Sequence, residues 1–240
     1  MKLDLMVIAA HPDDAELACS GTIMSHIAKG KKVGIVDLTR GELGTRGTAE
    51  TRKNEAIEAS KIMGISVREN LAFADGFFQN DKKHQLELIK VIRKYQPDIV
   101  LANTLDDRHP DHSRAAQLAY DACFYSGLKK IETKIKDEVQ EHWRPNRIFH
   151  YIQSNYIKPD FVVDITEFWD KKVEAVKAFK TQFHTGEGET GENQTFISTP
   201  TFMRFLESRA REYGQHVGVE YAEGFKTSKP LAVNDLYHFI

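Results

Sequence analysis

The chain has 240 residues, which is enough for one sizeable α/β domain. Its hydrophobic share of 41% and charged share of 28% are those of an ordinary soluble globular protein, and a formal net charge of −2 excludes an electrostatic footprint for nucleic acid or a membrane surface. Neither of its two cysteines, Cys19 and Cys123, belongs to a CxxC, which argues against a thiolate zinc site or a disulfide framework and for two buried thiols in a reducing cytosol.

Met1-Lys2-Leu3-Asp4 opens an apolar run too short for a signal-peptide core, with Asp4 misplaced for one. Since no stretch approaches the roughly 20 apolar residues of a membrane span, the chain reads as cytoplasmic. Leu5 to Ala10 is apolar without alternation, as in a strand buried on both faces. A helix follows, with Asp13 or Asp14 near its start and Gly30 closing it; Val33 to Leu38 reads as a second strand. A polar, glycine-rich loop from Arg40 to Ala49 leads to a helix over Thr51 to Met63, ended by Gly64. Asn70 to Ala74 reads as a short strand, Lys83 to Tyr95 as a helix that Pro97 ends, and Asp98 to Ala102 as another buried strand. The spacing predicts a helix over Ser113 to Tyr125, capped by Ser113. Later come strands at Arg147 to Gln153 and Phe161 to Ile165, a helix over Glu167 to Phe183, a mobile loop from Thr185 to Pro200 and a helix from Pro200 to Tyr213. The alternation implies an α/β fold, a mostly parallel sheet with helices on both faces, as one domain over residues 1–240.

Two clusters carry the chemistry. His11-Pro12-Asp13-Asp14-Ala15-Glu16 sits where the first strand gives way to its helix, and Asp107-Arg108-His109-Pro110-Asp111-His112 follows the later buried strand. Ligands of an α/β sheet gather at the carboxyl ends of its strands, so the two clusters can meet. His11 and Asp14, three apart, are ordinary Zn²⁺ ligands, and His112 could complete a three-ligand site that leaves a position for water. Asp13, between them, is free to act on that water. Helix capping alone would explain one acid there, since Asp at a helix start with Pro12 in the first turn is common; one cap does not need two carboxylates and a histidine. The loop Arg40-Gly41-Glu42-Leu43-Gly44-Thr45-Arg46-Gly47 lacks both the GxGxxG and Walker patterns, which counts against a nucleotide-dependent oxidoreductase. Arg40, Arg46 and Arg52 add positive charge suited to an anionic substrate group.

These motifs resemble the PIG-L/LmbE family of zinc-dependent N-acetylglucosamine deacetylases, a Rossmann-like three-layer fold. Leu38 to Arg52 and Gly218 to Phe225 are similar to the bacillithiol-biosynthesis members. The resemblance implies Zn²⁺ held by His11, Asp14 and His112, with Asp13 as general base. It implies His109, as imidazolium, over the scissile amide, Asp111 orienting His109, and Arg52 and Arg108 on the substrate. The substrate implied is a small acetylated amino-sugar conjugate, N-acetylglucosaminyl-malate above others, with acetate released. The family places a tyrosine from the C-terminal third near the reacting carbonyl, whereas Thr195 to Phe205 offers phenylalanines. A homo-oligomer is expected by the same resemblance. The competing readings are a deacetylase of a chitooligosaccharide or mycothiol-type conjugate, and a non-catalytic metal- or sugar-binding module.

Overall fold

The computed structural model describes residues 1–183 and 195–239. A seven-stranded sheet carries the chain. Its strands are β1 (Leu5–Ala9), β2 (Val33–Thr39), β3 (Val67–Phe73), β4 (Ile99–Asn103), β7 (Arg147–Tyr151), β8 (Phe161–Asp164) and β9 (Ala222–Lys226); β5 (Lys134–Ile135) and β6 (Glu138–Val139) form a separate small hairpin. The order is β3-β2-β1-β4-β7-β9-β8, and β9 alone runs against the direction of the other six strands. The chain therefore reverses its direction of winding between β1 and β4, the crevice where open α/β sheets bind ligands.

Strand alternation divides the core into two layers. Leu5 and Val7 of β1 face one side, against α1 (Asp14–Ala28), α2 (Ala49–Met63), α5 (Trp169–Lys177) and α6 (Pro200–Gln215). Met6 and Ile8 face the other, against α3 (Lys82–Tyr95) and α4 (Pro110–Tyr125). This is the expected three-layer α/β arrangement. No helix of the described residues is long and apolar enough to cross a membrane.

Several boundaries differ from expectation for identifiable reasons. β3 starts at Val67 because Arg68, polar in sequence, is buried by pairing with Glu16 at 2.6 Å and Asp37 at 2.7 Å. α4 starts at Pro110, not Ser113, since His109 caps it by accepting the Asp111 backbone N–H at 3.2 Å and proline suits the first turn. The helix expected over Glu167 to Phe183 is shorter and enters through a 3₁₀ turn at Thr166–Phe168. Of the loop expected from Thr185 to Pro200, the part up to residue 194 lies outside the described residues; Phe196–Ser198 forms a 3₁₀ turn into α6. β9 has no counterpart among the expected strands.

α1 is broken at Cys19 (φ −143°, ψ 17°). A buried pair, Lys172 of α5 and Glu223 of β9, 2.7 Å apart, sits at the break and bonds the exposed peptide groups on either side.

Candidate metal centre

The turn after β1 presents His11, Asp13 and Asp14, and α4 presents His112 from beyond β4. The two clusters predicted to meet do meet. Asp14 lies at their centre: its Oδ1 is 3.1 Å from His112 Nε2 and its Oδ2 is 3.6 Å from His11 Nδ1. Both carboxylate oxygens are further fixed by neutral donors, Gln153 Nε2 at 2.7 Å on Oδ1, and His11 N–H at 3.0 Å and Asn103 Nδ2 at 3.2 Å on Oδ2.

The outer nitrogen of each imidazole meets carboxylates. His11 Nε2 lies 3.1 Å from Asp75 and 3.3 Å from Asp111, and His112 Nδ1 lies 2.9 Å from Asp107. An ionised carboxylate only accepts, so each of these nitrogens carries the hydrogen. His11 Nδ1 and His112 Nε2 are left facing Asp14, as the nitrogens whose lone pairs either a second proton or a cation would take. That is the arrangement by which carboxylates orient metal-binding histidines. His109 brings a third ring nitrogen within 4.8 Å of those of His11 and His112.

The electrostatics agree with a cation site. Burial opposes charging His112, yet the Asp14 carboxylate, aided by the Asp107 and Asp14 hydrogen bonds, raises its pKa to about 9. His11 is likewise raised well above its usual value against burial, by Asp111, Asp14 and Asp75. Two protons are drawn onto a buried pair of imidazoles, and a divalent cation is the natural competitor for that position. The donor set of two imidazoles and one carboxylate fits zinc chemistry.

Asp13 is the first residue of the site held under strain. Its φ of 123° lies where a side chain is disfavoured, and its side chain makes no helix-capping bond. Its carboxylate pairs instead with the Arg52 guanidinium, which also donates to the Gly41 carbonyl at 3.3 Å. Burial, partly offset by Arg52, lifts the Asp13 pKa to about 6.

The geometry gives three of the expected residues other partners or another charge state. Arg52 lines the cavity, but its guanidinium is committed to Asp13. Asp111 does not turn its carboxylate to His109: the oxygens bind His11, the Gly76 N–H at 2.8 Å and Arg114 at 2.5 Å. His109 is not predisposed to be an imidazolium either. Burial, then the charges of His11 and His112, depress its pKa, and its Nδ1 accepts the Asp111 N–H. Its proton therefore sits on Nε2, as a neutral donor. Arg108 is exposed at the rim of the cavity, over Phe196 at 5.2 Å.

Asp75, Asn103 and Gln153 were missed in the sequence, and Asp107, though within the second cluster, was given no role. Each is a single polar residue just past or at the end of β3, β4 or β7; that shared position was the available signal. Asp75 and Gln153 line one cavity of about 360 Å³, bounded also by Leu43, Phe196, Phe202 and Arg209.

A Rossmann-like α/β sheet with a histidine–carboxylate pocket at its winding reversal defines a class of site, and sequence comparison places the chain within a family. The chain belongs to the PIG-L family, described as GlcNAc-PI de-N-acetylase, whose model matches residues 6–123. It is 28% identical to a diacetylchitobiose deacetylase of Thermococcus kodakarensis, over 92% of this chain and 82% of that one. It is 27% identical to a 4-oxalmesaconate hydratase of Pseudomonas putida, over 96% and 91% of the two chains. It is 29% identical to the probable N-acetyl-alpha-D-glucosaminyl L-malate deacetylase 2 of Bacillus subtilis, over 76% and 84%. Among solved structures, a conserved protein of Thermus thermophilus superposes with a TM-score of 0.86 at 37% identity, covering 98% of both chains.

Proposed function

We propose that the protein is a metal-dependent N-deacetylase of an acetylated amino-sugar conjugate, with N-acetylglucosaminyl-malate as its substrate, and that it works in the cytoplasm as a homo-oligomer of a single-domain chain. The observation that carries the reading is the convergence of His11 Nδ1 and His112 Nε2 on Asp14, each ring held from behind by a carboxylate. His11, Asp14 and His112 would hold the ion, Zn²⁺. Bound there, it would polarise an amide carbonyl and acidify water.

The chain's own residues supply the rest. Asp13, oriented by Arg52 and with a pKa of about 6, is suited to take a proton from the attacking water near neutral pH and to return it to the departing nitrogen. His109, neutral with its proton on Nε2, donates to the carbonyl oxygen as negative charge develops there. One such donor is typically worth about 3–4 kcal/mol. Arg108 at the rim is placed for the acceptor part of the substrate. The C–N bond breaks, giving acetate and a free amine. The identities to the chitobiose and malate-conjugate deacetylases support the chemistry, and the similarity of Leu38 to Arg52 and Gly218 to Phe225 to the bacillithiol enzymes supports the acceptor.

The test is amine release by chelator-stripped protein re-supplied with Zn²⁺, on N-acetylglucosaminyl-malate, diacetylchitobiose and N-acetylglucosamine. Zinc-dependent release favouring the malate conjugate is expected. Release favouring chitobiose would keep the chemistry and reassign the acceptor. No release from any, with hydration of 4-oxalmesaconate instead, would overturn the deacetylase reading in favour of the chemistry named for the Pseudomonas relative.

A further inference from the structure

The cavity contains a cation that the proposed chemistry does not use. Arg209, from the third turn of α6, lines it on the side of Leu17 and Gln153. Its Nη1 is buried and has no hydrogen-bond partner among the described residues. The Phe205 ring lies 5.3 Å from its guanidinium carbon. The carboxylates whose charge reaches it are Glu223 and Asp107, and both are already occupied. Glu223 accepts from Lys172, Gly21 and Thr22, and Asp107 from His112, His109 and Ser154. Burial works against the Arg209 charge, yet a guanidinium does not deprotonate in proteins. A guanidinium N–H buried with no hydrogen-bond partner among the described residues is costly, and a chain that keeps one beside its active cavity gains from an anion that arrives there.

We infer that Arg209 is the binding residue for a carboxylate entering this cavity. A planar fork of N–H donors matches a two-oxygen anion bidentately, which an ammonium would not. Gln153 shares the wall and has its own buried, unpartnered Oε1, so a ligand hydroxyl or N–H beside the carboxylate would find an acceptor there. The carboxylate has two possible sources, a substituent of the substrate or the acetate released from it. The binding claim stands apart from the reaction; only the choice of source rests on the deacetylase reading.

The experiment is calorimetric titration of zinc-loaded protein with acetate, L-malate and the neutral isostere acetamide, in wild type, Arg209→Gln and Arg209→Lys. Wild type should bind at least one carboxylate and discriminate it from acetamide. Arg209→Gln should weaken that binding roughly 30-fold or more, and Arg209→Lys should restore only part of it. Circular dichroism and zinc content establish that each variant is folded and loaded; if Arg209→Gln fails that check, the lysine variant carries the comparison. Equal carboxylate affinity in wild type and variants, or no carboxylate binding by wild type, would overturn the assignment. The source is read from initial rates on N-acetylglucosaminyl-malate and its dimethyl ester. A KM for the diacid that rises in Arg209→Gln, with kcat and the ester unchanged, assigns the substrate; loss of acetate inhibition alone assigns the product. Absence of turnover on both compounds would sink the deacetylase reading and leave the titration to decide Arg209.

Discussion

Replacing Lys172 by methionine tests how the broken helix that begins the site is held. The two halves of α1 meet at Cys19, whose backbone angles are not helical. The Lys172 ammonium donates to the carbonyls of Glu16 at 3.2 Å and Leu17 at 2.8 Å and to Glu223 Oε1 at 2.7 Å. The Glu223 carboxylate accepts the N–H groups of Gly21 at 3.0 Å and Thr22 at 2.7 Å, opening the second half. The residues are 1% and 4% exposed, so water does not replace either partner. Methionine keeps most of the volume and removes the charge, leaving a buried carboxylate on two backbone donors and the Leu17 carbonyl without its ammonium. Removing one member of such a pair costs about 3–5 kcal/mol. Unfolding entropy of about 2.1 cal/mol/K per residue gives about 0.5 kcal/mol/K for 240 residues. The expected fall in Tm is therefore about 6–10 °C. Calorimetric scans of metal-free proteins at one pH measure it. The double variant Lys172→Met/Glu223→Gln leaves no charge buried and should lose less than the sum of the two single changes. A fall of less than about 2 °C in Lys172→Met, or strict additivity in the double variant, would refute the staple.

Other expectations follow from the site and its surroundings. Asp13→Ala should retain zinc by elemental analysis and lose turnover by orders of magnitude; activity near wild type would remove Asp13 as the base. His112→Ala should abolish stoichiometric zinc, and Asp107→Asn, which weakens the acceptor behind His112, should lower zinc affinity about 10–100-fold, measured by competition with a chromogenic chelator. His150 gives a pH signature. Burial depresses its pKa below the ordinary 6.5, against the hydrogen bond of Nδ1 to the Asn103 carbonyl. The unfolded chain takes up a proton at about pH 6.5 that the folded chain resists, so stability is lost as pH falls through that value and is untouched above it. Tm should drop more between pH 7.5 and 5.5 for wild type than for His150→Gln; equal drops would exclude the histidine as a cause.

The alternation of buried strands and helices was enough to place the two His/Asp clusters at one sheet edge, because parallel strands bury both faces and read as unbroken apolar runs. Leu5 to Ala10 and Val33 to Leu38 carry that signal. β9 does not: Ala222-Glu223-Gly224-Phe225-Lys226 has neither apolar continuity nor alternation, because Glu223 is spent on α1 and Gly224 lies against the Tyr213 ring. The residues behind the histidines were silent for a different reason. Asp75 is 64 positions from the imidazole it holds and looks like any turn residue after a strand, while Asp107, 5 positions from its imidazole, is one of several adjacent acids with nothing to single it out. For Arg52, proximity to the cluster was legible, while its pairing with the strained Asp13 required the backbone. The depressed basicity of His109 likewise arises from burial beside His11 and His112, which depends on how closely the two clusters meet.

The position of β9 bears on the order in which the molecule can be completed. Residues 222–226 enter the sheet between β7 and β8, whose strands end at 151 and 164, and until they do so β8 has no neighbour in the sheet. Glu223 arrives with that strand and clamps the helix that starts at Asp14. On a ribosome the turn carrying His11, Asp13 and Asp14 emerges early and waits for some two hundred further residues before its supporting helix is secured. Chains cut short before β9 would thus display the motif without its clamp, which ties the ordering of this turn to the finished sheet.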